Sequence, residues 1–221
     1  MRGQGGTLGY ANAKSWGTTT QPNASRAKTA FWLAVALGIL TLLGMGLEAW
    51  ELTQLNALER GTLTPADAEP LVMAAGVWGL AYLVALICFL VFFMMWLYRA
   101  VKNVRITTGD SRSGPGMSVG WWFIPFANLV MPYLVLKDLA ERVRWGNASA
   151  VGLFWLLWIG SGIATRITDR LYGAALDTLD YDQGRMMLYI GMAGTVASAA
   201  AWVVLAWIVQ QVQRHQQPQS M

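Results

Sequence analysis

The chain has 221 residues, 55% of them hydrophobic and only 13% charged, with a formal net charge of +4; its mean hydropathy is +0.40 and its pI is near 9.4. A soluble domain of this size carries roughly twice that charged fraction and lacks the interior to bury so much apolar surface, so an ordinary water-soluble fold is excluded. Cys88 is the only cysteine and His215 the only histidine, which excludes an intrachain disulfide, a dithiol centre and a haem or zinc site built on these ligands; no cofactor and no metal is expected.

The first 28 residues are polar and rich in Gly, Thr and Asn, with no convincing cleavage site after them. They read as a flexible N-terminal tail, 1–28, ahead of a permanent span. Four uncharged stretches follow: Thr29–Leu47, Leu71–Tyr98, Trp145–Thr165 and Met186–Gln213. Each meets the roughly 18–20 residues that cross about 30 Å of hydrocarbon at 1.5 Å per residue. The expected fold is therefore all-α, a polytopic four-helix transmembrane bundle occupying 29–213. Its spans fall at about 29–50, 71–98, 148–167 and 186–210, with a C-terminal tail over 214–221.

The connections differ in character. Glu48–Pro70 and Arg166–Arg185 read as short loops on one side; within the first, Pro65 is placed at the first turn of a new helix. Ile106–Ser118 is rich in Gly, Ser and Pro and reads as a flexible linker. From Ser113 to Leu136 the chain carries no charge yet contains three prolines, and Gly120–Tyr133 reads GWWFIPFANLVMPY. Pro125 and Pro132 each remove a backbone donor, and in hydrocarbon the groups they free must find partners inside the protein. Residues 119–145 are thus expected to form a proline-broken re-entrant or interfacial segment. Its last part, Tyr133–Trp145, is amphipathic: Leu134, Leu136, Leu139 and Val143 oppose Lys137, Asp138, Glu141, Arg142 and Arg144. That pattern fits a cytoplasmic-side helix lying along the headgroups.

The basic residues set the orientation. If the broken segment returns to its own side, 12 of the 16 lysines and arginines share one face; if it crosses, the division is 11 to 5. The two prolines and Asn128 favour return, which gives four spans with both termini cytoplasmic. Because the basic residues follow membrane sides and not a single stripe, nucleic acid is not an expected partner. Lys102, Arg105, Lys137, Arg142 and Arg144 are expected to meet anionic headgroups. Asn23-Ala-Ser25 and Asn147-Ala-Ser149 match the glycosylation triplet but fall on the cytoplasmic side of this topology. Trp32, Trp50, Trp96 and Trp145 fall at span ends, where indole rings favour the interface. Gly191, Gly194, Ala197, Ser198 and Ala201 are expected to serve packing within the bundle.

Arg99 and Asn103 lie four apart on one helix face at the end of the second span. Three roles stand open for Arg99: bracing the broken backbone together with Asn103, reaching headgroup phosphates with Lys102, or touching a ligand. Asn128 is the strongly polar side chain of the broken segment, where it either bonds to local backbone or lines a wet cavity.

MWLYRAVKNVR (Met95–Arg105) followed by SVGWWFIPFANLVMPYLVLKDL (Ser118–Leu139) resembles a bacterial membrane family known as domain of unknown function 4328. Tyr98, Arg99, Ala100 and Asn103 carry the resemblance, as do Gly120 to Phe126 (with Trp121, Trp122 and Pro125), Asn128, Leu129, Pro132 and Tyr133. It covers roughly Ala30–Gln210. Ala140–Val143 departs from the Trp-Arg-Ala-Ser tract that members of the family often show there. The resemblance implies a span pattern and motif positions but no reaction.

No H-E-x-x-H, G-x-S-x-G, C-x-x-C or phosphate-binding glycine loop is present, and the spans carry no carboxylate away from their ends. The reading is a non-catalytic membrane scaffold or interaction subunit in contact with anionic lipid and with a membrane-protein partner or its own copies. The alternative is a small oligomeric transporter or channel, or a lipid- or small-molecule-binding protein that uses 120–133.

Overall fold

A computed structural model describes residues 20–63 and 65–216. The expected tails therefore lie largely outside the described residues, at 1–19 and 217–221. The described chain is helical, with no strand: α1 (Ala24–Glu59), α2 (Pro65–Thr108), α3 (Pro115–Gly120), α4 (Met131–Arg142), α5 (Ser149–Thr178) and α6 (Tyr181–Gln216), with a single 3₁₀ turn at Ala127–Leu129 between α3 and α4. Four of these helices, α1, α2, α5 and α6, are long and apolar enough to cross a membrane.

Each long helix overruns the apolar stretch within it. α1 has 36 residues and α2 has 44, or ~54 and ~66 Å at 1.5 Å per residue. The loops expected at Glu48–Pro70 and Arg166–Arg185 are corrected accordingly. α1 continues to Glu59 and α2 begins at Pro65; α5 continues to Thr178 and α6 begins at Tyr181. The physical reason is propensity: 48–59 is rich in Glu, Leu and Ala, and 166–178 carries two each of Arg, Leu and Ala and no proline, so a helix continues after hydrophobicity ends. What stops α5 is Leu179, in the left-handed region at φ 55°. Asp180 then caps α6, its Oδ1 accepting from the Gln183 amide at 3.0 Å. Across this end Arg185 donates to Glu59 at 2.6 Å and to Asn56 at 3.3 Å, and Thr195 donates to Glu48 at 2.6 Å.

The four long helices pack as a row, α5 on α6, α6 on α1 and α1 on α2. α1 supplies a stripe of small residues at three- and four-residue spacing: Ala27, Ala30, Ala34, Gly38, Thr41 and Gly44, with Leu37. Small side chains let helix backbones approach closely. Gly38 lies beneath Trp202, whose Cβ would sit 3.4 Å from an added Cβ. The small residues of α6 serve the same purpose toward α5, where Gly194 faces Ala164 and Thr165. Two of the expected interfacial tryptophans belong instead to the core. Trp96 is fully buried, and Trp145 is buried edge-on against Trp207 at 5.0 Å; Trp32 and Trp50 are exposed.

Among the described glycines, Gly44 has the least room for a side chain. A Cβ there would lie 2.7 Å from Cζ2 of Trp78, whose indole N–H is held by the Leu40 carbonyl at 3.1 Å. Gly44→Val is expected to cost about 1–3 kcal/mol by overpacking, read as a lower unfolding midpoint in detergent. Gly46→Ala, whose added carbon meets nothing within 4 Å, is expected to hold or raise the midpoint.

Candidate functional site

The last turns of α2 build the site's rear wall. Phe93, Trp96, Leu97, Ala100, Val101 and Val104 recur at helical spacing and are all buried, so α2 is locked in rotation and its polar residues have fixed directions. Asn103, also buried, forms a two-point clamp on extended backbone. Its Oδ1 accepts from the Gln21 amide and its Nδ2 donates to the Gln21 carbonyl, both at 2.9 Å. Asn23 Nδ2 donates to the Trp96 carbonyl at 3.0 Å, and Gln216 Nε2 donates to the Ala100 carbonyl at 2.9 Å. Residues near both ends of the described chain are thus tied to two successive turns of α2. Within the tail expected at 1–28, Gln21 and Asn23 are seated on the bundle and α1 starts at Ala24. Asn23 is only 3% exposed, so its triplet is closed to glycosylation as folded.

The broken tract meets its backbone demands mainly through its own turns. The amides of Trp121, Trp122 and Phe123 donate to Met117, Val119 and Gly120, and those of Asn128, Leu129 and Val130 to Ile124, Phe126 and Ala127. At the tip, the Ala127 amide reaches the Pro125 carbonyl at 2.7 Å. Phe126 between them adopts φ 63° and ψ −43°. This is a γ-turn in its strained, positive-φ form, which costs on the order of 1–3 kcal/mol. Pro132 is buried in the first turn of α4, where its missing N–H would have had no intrahelical partner anyway.

The outside donor to this tract is Trp155 of α5, whose indole N–H meets the Leu129 carbonyl at 3.0 Å. Of the roles open for Arg99, bracing together with Asn103 is not what the structure shows: Asn103 holds Gln21, and Arg99 has no hydrogen bond or ion pair among the described residues. Asn128 is corrected too. Its side chain is exposed and, among the described residues, has no hydrogen-bond partner, so it neither braces the turn nor sits as a buried amide. Pro125 is exposed beside the tip.

Trp122 wedges α2 to α5. Its ring meets Phe93 edge-on at 5.3 Å on one side, and Trp155 and Trp158 at 6.3 and 5.7 Å on the other. Tyr133 extends the group by tilting against Trp155 at 6.4 Å, and Trp121 donates to Ser113 Oγ at 3.1 Å. Ring pairs at such separations add about 0.5–1.5 kcal/mol each beyond the area they bury.

Below the wedge, the two flanks of the tract are clasped together. Asp138 of α4 accepts from the Arg112 amide at 3.0 Å and from Arg142 Nε at 2.8 Å, while Arg142 also donates to the Asp110 carbonyl at 3.2 Å. The hydrogen bond to Asp138 holds the Arg142 guanidinium more firmly protonated than usual. The apolar face of α4, with Val135, Leu136, Leu139 and Ala140 buried, packs on the protein. Of the residues expected at headgroups, Arg142 is spent on the clasp and Lys137 lies 3.9 Å from Glu141. Arg105 is exposed beside Gly114, and Arg144 is exposed with φ 57°. Lys102 is half-buried.

Two of the recesses at this end include the motif residues Tyr98, Arg99 and Asn103. One of about 440 Å³ is bordered by Thr20, Asn103, Thr108, Arg142, Arg144 and His215. The other, a groove of about 530 Å³, is lined by Arg26, Met94, Met95, Tyr98, Arg99, Gly116 and Val119. Among the described residues no His, Cys, Asp and Glu cluster could hold a metal ion. Gln21, Asn23, Trp155 and the Arg112–Asp138 contact were not anticipated; only the alternation of Asp110, Arg112, Asp138 and Arg142 across the tract signalled the clasp.

Asn103→Ala should cost about 1–3 kcal/mol by orphaning the Gln21 backbone groups. It should also raise hydrogen exchange at residues 21–23. Asn128→Ala should change stability by less than about 0.5 kcal/mol.

No curated protein and no solved structure matches the chain. A family model described as a domain of unknown function, DUF4328, matches residues 59–214, which takes in α2, the tract, the clasp and the last two long helices. The chain belongs to this family.

Proposed function

We propose that the chain is a non-catalytic scaffold or interaction subunit of the bacterial cytoplasmic membrane. Both termini are cytoplasmic, and the tract at 119–145 enters the inner leaflet and turns back. Its platform, formed by the end of α2, α3 and α4, meets anionic headgroups through Lys102, Arg105, Lys137, Arg144 and the partly exposed Arg142. The same platform presents Tyr98, Trp121, Tyr133 and their neighbours toward a membrane-protein partner or a second copy of the chain.

One observation carries this reading: a closed polar clasp lies beside an apolar tip. Arg112 and Asp138 bracket the tract and touch each other, while Phe123 and Phe126 between them are 68% and 86% exposed. In water such a tip, with Ile124, Leu129 and Val130 also exposed, forms an unpartnered apolar patch; in acyl chains it is satisfied. The six residues of α3 rise only ~9 Å, well short of a ~30 Å hydrocarbon layer. This favours entry into one leaflet over crossing. A channel has less support, because Trp122 fills the space between α2 and α5. Lipid binding is favoured as a second reading by the groove that holds Arg26 and Arg99.

Single cysteines in a Cys88→Ser background test the placement. Arg112→Cys and Asn147→Cys are expected to react with an impermeant maleimide only from the cytoplasmic face. Phe126→Cys is expected to resist that reagent and to carry a fluorophore quenched by nitroxide-labelled lipid. Labelling of 112 and 147 from opposite faces, or ready aqueous labelling at 126, would overturn the reading.

A further inference from the structure

We infer that the groove between the first turn of α1, the last turns of α2 and the face of α3 is a binding site for one anionic glycerophospholipid, with its phosphate held between Arg26 and Arg99. The inference rests on the platform lying at headgroup level, and adds a defined site and ligand class to it.

The lining contains two guanidinium groups and no carboxylate. Both arginines are half-buried. Among the described residues Arg26 reaches only the Pro22 carbonyl, at 3.5 Å, and Arg99 has neither a hydrogen bond nor an ion pair. A guanidinium offers five donors in a planar fork, and partial burial makes unmet donors costly. Two such forks in one recess match the non-bridging oxygens of a phosphate, for which charge-assisted bonds are strongest. Tyr98, partly exposed at the same rim, adds a hydroxyl at the height of a glycerol or ester oxygen.

The remaining wall is apolar, and this points to a lipid over a free anion. Met94, Met95 and Val119 line the groove beneath the arginines. Exposed Val91 and Phe92 continue the same helix upward along α2, as an acyl chain descending from the headgroup requires. Thioether side chains adapt readily to chains of varying shape. Gly116 keeps the mouth open: a Cβ there would meet nothing within 4 Å, so a larger side chain would project into the recess without straining the backbone.

The full chain, purified and exchanged into nanodiscs of phosphatidylcholine with or without phosphatidylglycerol, tests this by native mass spectrometry of retained lipid. Wild type is expected to keep one phosphatidylglycerol in preference to phosphatidylcholine. The Arg26→Gln, Arg99→Gln double variant should lose about ten-fold or more of that preference. Gly116→Leu should do the same with both charges intact, while Arg214→Gln, at an exposed arginine outside the groove, should match wild type. Each variant's unfolding midpoint in phosphatidylcholine alone reports whether it has folded. Equal retention in wild type and both groove variants would overturn the site while leaving the platform intact. An equal loss in Arg214→Gln would reduce the binding to diffuse charge, and displacement of the lipid by inorganic phosphate would reassign the groove to a free anion. Absence of any preference in wild type, with the tract still labelled from one face, would refute the site alone; labelling from opposite faces would remove the platform beneath it.

Discussion

Four helices packed as α5, α6, α1 and α2 leave the two outermost members without a broad face against each other, and the Trp122 indole spans that separation. It touches Phe93 on α2 and both Trp155 and Trp158 on α5. A ring can fill this position only if the chain carrying it is neither a long helix nor a free loop. A spanning helix would displace α2 from α5, and a free loop would not hold the indole at one depth. The turns between α3 and α4 supply the intermediate form, their amides meeting carbonyls three or four residues back. Trp155 fixes the arrangement twice, through its ring against Trp122 and its N–H on the Leu129 carbonyl.

The rest of that end follows from the wedge. Once Trp122 is seated, the flanks of the tract emerge close together, and Asp138 and Arg142 close the exit against Asp110 and Arg112. α4 is then directed across the base of α2, burying Leu136 and Leu139. Asn103 and the Trp96 and Ala100 carbonyls are left facing Gln21, Asn23 and Gln216. The opposite end is built differently, from helix extensions joined by Arg185, Glu59 and Asn56. Ion pairs occur at both ends, while the aromatic packing around Trp122 and both described chain ends lie at the end that carries the tract.

Much of the architecture is legible in the sequence. Long uncharged runs determine helices because a bilayer admits few other backbones, and the prolines of Gly120–Tyr133 weigh against a continuous span. Family membership was likewise carried by the unusual spacing of Trp121, Trp122, Pro125, Asn128 and Pro132. Helix ends were less legible, since hydropathy marks where lipid would stop and not where hydrogen bonding stops. Partners were least legible. Asn103 and Asn128 look equivalent as polar residues beside apolar runs, yet one is buried on Gln21 and the other is exposed. The rotation of α2, set by Phe93 and Trp96 packing, buries Asn103, whereas Asn128 lies on the 3₁₀ turn at the exposed tip of the tract. Nothing in the sequence marks Trp155 and Trp158 apart from other span residues, because the tract they hold is 26 to 36 positions away.

The central claim is that Trp122 holds α2 and α5 together, and the distance between those helices tests it most directly. With Cys88 replaced, spin labels at the exposed Val91 and Leu156 report that distance by pulsed electron paramagnetic resonance in nanodiscs. A narrow distribution in the otherwise native chain, shifting outward and broadening in Trp122→Ala, is the expected result. An unchanged, equally narrow distribution in the variant would contradict the account, since the two helices would then be held by something other than the wedge.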